Sequence, residues 1–131
     1  MQQEVFDFLK ACGVYYLATV EGDQPRVRPF TSMNLYQGKL YIQTGKVKNV
    51  AHQLKENSKI ELCGMHQGSW IRISGEAVLD ESTEAQQSMF DANPGLDKMY
   101  AVNDGNNEVY YIRNGKADIN SFDKEPEHYE F

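Results

Sequence analysis

The sequence predicts a mainly β, α+β fold: a small closed or split β-barrel of about six or seven mostly antiparallel strands with two or three peripheral helices. Three observations predict it. Runs rich in β-branched and aromatic residues follow one another through turns, not through helical crossovers, which favours antiparallel pairing. The helical patterns are few and short. An antiparallel sheet of this size avoids exposed edges most simply by closing on itself.

The elements follow in order. Val5, Phe8, Leu9 and Cys12 fall at i, i+3, i+4 and i+7, an amphipathic helix that Gly13 ends. Val14 to Val20 is a strand, and Glu21-Gly22-Asp23-Gln24-Pro25 a turn. Arg26 to Tyr36 reads as one long strand, in which Pro29 lacks a ladder donor and marks an edge or a bulge. Gln37-Gly38-Lys39 turns the chain into the strand Leu40 to Thr44. Val47, Val50, Ala51 and Leu54 form the apolar stripe of a second helix. Lys59 to Met65 and Trp70 to Leu79 are strands joined by a Gln67-Gly68 turn. Ser82 or Thr83 caps a third helix carrying Ala85, Met89 and Phe90, which Pro94-Gly95 stops. Asn114-Gly115, between EVYYIR and KADINSF, is a type I′ hairpin signal. The acidic stretch Asp123 to Glu130 reads as a solvated end, with Tyr129 and Phe131 available to pack on a partner subunit.

Composition narrows the function classes. The 131 residues are expected to form a single domain, 1–131, with 40% apolar and 24% charged residues as in ordinary globular proteins. Thirteen Lys+Arg against nineteen Asp+Glu give a net charge of -6, which disfavours nucleic acid and anionic membrane as partners. A barrel binding single-stranded nucleic acid is opposed on the same ground. No apolar run is long enough to span a bilayer, and MQQEVFDFLKACG does not read as a signal peptide, so a cytoplasmic location is expected. Cys12 and Cys63 lack metal spacing and are expected to be buried free thiols. His52, His66 and His128 form no metal pattern, and no Ser or Cys has a recognisable base partner.

The stretch TGKVKN, Thr44 to Asn49, carries the chemistry. It lies at a strand-to-helix junction, where helix N–H groups and the dipole form an anion site. Lys46 and Lys48 sit where cations are disfavoured by roughly 0.3–1 kcal/mol each, and a bound phosphate would offset that. Thr44 adds a hydroxyl, and Gly45 permits close backbone approach. From these six residues alone, two solvated surface lysines are the favoured alternative. Arg26 and Arg28 shift the balance. They share one strand face, and a hairpin at Gln37-Gly38-Lys39 would place them beside Thr44 to Lys48. Four basic residues gathered in an acidic protein suit a dianion, with a ligand-free surface cluster as the competing reading.

The order PRVRPF (25–30), GKLYIQT (38–44), KNVAHQLKEN (48–57), IELCG (60–64) and WIRISGEAVLDE (70–81) resembles the pyridoxamine 5′-phosphate oxidase-like, FMN-binding split-barrel family over roughly residues 3–122. The resemblance implies an FMN cofactor whose phosphate is held by Arg28, Thr44 and Lys48, with Lys46 as a less regular neighbour. It implies that backbone groups around Pro29, Phe30 and Thr31, together with Gln43, meet the isoalloxazine edge. It also implies a homodimer with the flavin at its interface, and Trp70 lining the pocket or standing in the barrel core or interface. The pattern departs from the true oxidases: residues 122–131 read FDKEPEHYEF without an Arg-x-His, and no Tyr-x-x-x-Arg occurs. The implied function is a flavin-dependent oxidoreductase for an unknown small molecule or electron donor. A non-catalytic module that stores or senses flavin or another phosphorylated ligand is the alternative.

Overall fold

The computed structural model describes residues 2–131. Helix α1 (Gln2–Cys12) leads into strands β1 (Tyr15–Glu21), β2 (Gln24–Phe30), β3 (Met33–Tyr36) and β4 (Lys39–Gly45). Helix α2 (Asn49–Glu56) follows, then β5 (Lys59–His66), β6 (Ser69–Asp80), α3 (Thr83–Ala92), a 3₁₀ turn (Leu96–Lys98), β7 (Asn107–Asn120) and β8 (Glu127–Glu130). All strand pairs are antiparallel, in the order β2-β1-β5-β6-β7-β4-β3, with β8 added alongside β7.

The two ends of this order, β2 and β3, are consecutive in the chain and joined only by Thr31-Ser32. Three residue steps reach at most about 11 Å, so the sheet must curl until its ends meet. They meet without pairing, which leaves a split barrel, as expected. Arg26 to Tyr36 is therefore two strands, not one, and the break falls just past Pro29. Pro29 lies on the edge strand β2, where a missing N–H costs no ladder bond. The Tyr15 hydroxyl donates to Ser32 O at 2.6 Å and pins the break to the barrel.

Period-2 patterning places Leu17, Leu40, Ile42, Leu62, Ile71 and Ile73 inside the barrel, and α1 and α2 add Val5, Leu9, Val50 and Leu54. A second cluster, with Tyr41, Val109, Ala85, Met89, Leu96 and Tyr100, fills the space between the outer side of β4 and β7 and helix α3. Thus β4 is buried on both faces. Two tight hairpins use Gln-Gly pairs with positive φ at both residues, 50° and 73° at Gln37-Gly38 and 48° and 79° at Gln67-Gly68. Ser82 caps α3 by accepting the Ala85 N–H at 3.2 Å.

Several expectations are corrected. Asn114-Gly115 makes no hairpin; it lies within the unbroken strand β7. A type I′ turn needs positive φ at two successive residues, and here Asn114 has it (55°) without Gly115, so the strand bends and does not reverse. The bend faces a register shift between Ser74 and Glu76. Gly115 then pairs with Phe131 through both backbone groups, at 2.6 and 2.9 Å. The tail accordingly is no solvated end: β8 continues the sheet, and Tyr129 and Phe131 pack on this chain's own core. Helix α2 starts two residues after Val47, which is left 76% exposed. The cysteines are free but not buried: Cys12 is half-buried, and Cys63 takes the outward parity of β5 and is exposed. Among the described residues, no helix is long and apolar enough to cross a membrane.

The loop before β7 is held by one carboxylate. Asp104 accepts the backbone N–H groups of Asn106 and Asn107 through Oδ1 and of Ala101 through Oδ2, at 2.6–2.9 Å. These bonds favour the ionised form and hold its pKa below the ordinary 3.8. A depressed folded-state pKa means its contribution is present above the unfolded value and fades as pH falls through the folded one. The Tm gap between wild type and Asp104→Asn should therefore be open at pH 7 and close below about pH 4. A gap independent of pH would contradict this account.

Candidate functional site

A cleft of about 200 Å³ lies at the barrel's seam. Arg28, Pro29, Phe30, Thr31 and Ser32 form one wall, Gln43, Thr44, Lys48 and Val50 the other, and Leu96, Met99 and Tyr100 the floor. Seven of the nine residues anticipated from sequence thus come together: Arg28, Pro29, Phe30, Thr31, Gln43, Thr44 and Lys48. They meet by a different route from the one expected. The turn Gln37-Gly38 joins β3 to β4, and β2 pairs only with β1. Closure of the sheet at the seam carries Arg28 to Thr44.

Arg28 is anchored from below. Its Nη1 donates to Thr19 Oγ1 at 2.7 Å and to Leu17 O at 3.2 Å, and its Nη2 to Gln53 Oε1 at 2.5 Å. Gln53 projects from α2, so one guanidinium ties β1, β2 and α2 together beneath the junction. Partial burial, and next the charge of Arg26, pull the Arg28 pKa down. The nearby carboxylate Glu21 does not relieve this, because it is taken by Arg26 at 2.9 Å. Arg26 therefore stands beside the site as a neutralised pair, lining an outer cleft of about 500 Å³ that shares Arg28, Lys48 and Val50 with the inner one.

Lys48 is the N-cap residue of α2, with extended backbone (φ −79°, ψ 151°) and no side-chain cap. Its ammonium, like the Arg28 guanidinium, has no ion-pair partner among the described residues. Two cations without counter-charges therefore stand at the positive end of a helix, beside the buried Thr44. That arrangement is unfavourable alone and favourable around an anion. Gly45 keeps the backbone open there: a Cβ would lie 2.9 Å from the Tyr100 hydroxyl. Among the described residues, no carboxylate, His or Cys lines the inner cleft.

Two anticipated residues lie apart. Lys46 faces the opposite side, in a cleft with Asp80, Glu81 and Glu108, because β4 ends at Gly45 and the chain turns there, Lys48 N–H bonding back to Gly45 O at 3.0 Å. Trp70 sits at the start of β6 and packs on Phe122 with ring centroids 5.1 Å apart, outside the seam cleft of its own chain. The floor residues Leu96, Met99 and Tyr100 escaped sequence reading. Leu96 opens a single 3₁₀ turn after Gly95 (φ 97°), and Met99 and Tyr100 follow it with their N–H groups on Leu96 O, a segment too short to show a period.

The profile of the pyridoxamine 5′-phosphate oxidase family matches residues 1–129. Among solved structures, a NimC/NimA family protein from Clostridium acetobutylicum is 43% identical, with 98% of this chain and 91% of that one covered and a TM-score of 0.96. A putative pyridoxamine 5′-phosphate oxidase from Listeria innocua is 22% identical over 86% of this chain and 91% of that one, with a TM-score of 0.68. General stress protein 26 from Bacillus anthracis, 15% identical over 99% and 98% of the two chains, has a TM-score of 0.79 and shares the fold. No curated protein matches. With the seam cleft, the split barrel and a family match over nearly its whole length, the chain belongs to the pyridoxamine 5′-phosphate oxidase family.

Proposed function

We propose that this protein binds FMN in the seam cleft and is a flavin-dependent oxidoreductase acting on a small molecule. The supporting observation is the convergence of Arg28, Lys48 and the Thr44 hydroxyl on one cleft, with neither cation in an ion pair among the described residues, in a chain of net charge -6. Those donors suit a phosphate dianion, each charge-assisted bond contributing roughly 1.5–3 kcal/mol. Bound FMN supplies hydride or electron transfer, so the lack of acid–base side chains on the cleft wall is compatible with catalysis.

The cleft of one chain, about 200 Å³, is smaller than the roughly 300–1,000 Å³ of ordinary ligand sites. A second copy completing it fits this reading. The outward parity of the sheet offers an apolar face for that contact: Tyr16 (51% exposed), Val27 (68%) and Met65 (62%), with Trp70 against exposed Phe122. We place the protein in the cytoplasm as a homodimer.

The second reading, a non-catalytic flavin-binding or sensing module, draws on the same bare cleft wall. Purified protein should take up FMN and show the yellow flavin spectrum. Reduction of that flavin by NADH or NADPH, with reoxidation by an acceptor, supports the enzyme. Tight FMN without turnover over a broad donor panel supports the module, and no uptake overturns both.

A further inference from the structure

Behind the cleft wall runs a chain of side-chain amides. Gln43 Nε2 donates to Asn107 Oδ1 at 2.8 Å, and Asn107 Nδ2 donates to Gln86 Oε1 at 3.1 Å. Gln86 Oε1 also accepts the Asn103 backbone N–H at 2.9 Å, while Gln86 Nε2 donates to Asn103 Oδ1 at 3.1 Å. Asn103 Nδ2 ends the chain on Thr83 Oγ1 at 2.9 Å. Gln43, Gln86 and Asn107 are all nine-tenths or more buried.

An amide can usually be turned over, exchanging its oxygen and nitrogen. Here both ends are fixed by backbone groups that have no such freedom. The Asn103 N–H can only donate, so the atom of Gln86 that meets it is the oxygen. That oxygen demands a donor from Asn107, which leaves the Asn107 oxygen facing Gln43. From the other end, the Thr44 carbonyl can only accept, and it takes the Gln43 amide nitrogen at 3.2 Å. The two constraints agree: both Gln43 N–H groups are used, and its Oε1 is left over. Among the described residues, Gln43 Oε1 accepts no hydrogen bond and is not sealed from solvent, and Gln43 lines the seam cleft.

We propose that Gln43 presents a fixed hydrogen-bond acceptor to the cleft, held by Asn107 and Gln86 as positioning residues, and that it selects a ring ligand carrying an N–H on the edge that meets it. This rests on the FMN reading and deepens it. Oxidised isoalloxazine has a single N–H, at N3. Haem, whose pyrrole nitrogens are bound to iron, has none to offer. An apolar or acceptor-only edge would bury Gln43 Oε1 without a partner.

The test compares FMN with 3-methyl-FMN, which keeps the phosphate and ring but lacks that N–H, by fluorescence titration. The wild-type protein should bind FMN about 5- to 100-fold more tightly. Gln43→Ala, which removes the acceptor and makes room for the methyl group, should bring the ratio near one. Asn107→Leu removes one of the two constraints on the Gln43 amide and leaves only the Thr44 carbonyl, so it should lower the ratio partway, a readout that a purely structural role would leave unmoved. Equal wild-type affinities, or a ratio preserved in Gln43→Ala, overturn the proposal even if FMN binds well. Should Asn107→Leu not fold, the wild-type ratio and Gln43→Ala still decide. Binding of neither flavin overturns the FMN reading itself.

Discussion

Replacing Arg28 and Lys48 together with alanine lowers FMN affinity by about 10²- to 10⁴-fold, if the seam cleft holds the phosphate as proposed. Two charge-assisted hydrogen bonds at roughly 1.5–3 kcal/mol each amount to about 3–6 kcal/mol, and 1.4 kcal/mol is a factor of ten. The single variants separate binding from folding. Arg28 holds Thr19, Gln53 and the Leu17 carbonyl, so Arg28→Ala takes a donor from buried acceptors and should also cost about 1–3 kcal/mol of stability. Lys48 is exposed, without an ion-pair partner among the described residues, and at a helix N-terminus. Removing it should leave Tm unchanged or slightly higher, since the dipole penalty of roughly 0.3–1 kcal/mol disappears. A variant that loses ligand while keeping or gaining stability marks a residue retained for binding. FMN affinity of the double variant equal to wild type would refute the assignment of the site.

The second large effect belongs to the chain's last strand. Deleting residues 127–131 should destabilise the protein by about 3–5 kcal/mol, measured as a lower urea midpoint. Truncating a fully buried aromatic to alanine costs about 3–5 kcal/mol, and Tyr129 and Phe131 are each about half-buried against the core, so together they supply roughly one such loss. The contact is close: a Cβ on Gly115 would lie 2.3 Å from the Phe131 ring. That explains a glycine in mid-strand, where its missing side chain would otherwise weaken the sheet. A midpoint shift below about 0.5 kcal/mol would show that β8 only decorates the barrel.

Much of this was legible in the chain's own order. The Gln-Gly hairpins, the Gly13 stop, the Ser82 cap and the alternation of β5 and β6 are set by neighbours within a few residues, where local geometry has the last word. Thr44 and Lys48 were legible too, because a strand-to-helix junction places them by sequence alone. Asn114-Gly115 was misleading for an instructive reason. A turn dipeptide makes its preferred conformation available, and β7 used only half of it, since pairing with β6 on one side and Phe131 on the other favoured a bend. Arg26 and Lys46 looked equivalent to Arg28 and Lys48, yet one is paired with Glu21 and the other faces away.

By itself the sequence determined the barrel class, most element boundaries, the basic junction and the family. Tertiary structure alone decided the order in which the hairpins joined into one sheet, and hence that β2 and β3 face each other across a seam with the cleft between them. It also decided that Leu96, Met99 and Tyr100 floor that cleft and that a buried amide chain orients Gln43. Side-chain parity and turn preference are local and can be read along the chain. Strand partnership and amide orientation depend on residues as far apart as Gln43 and Asn107, which meet only once the sheet has curled.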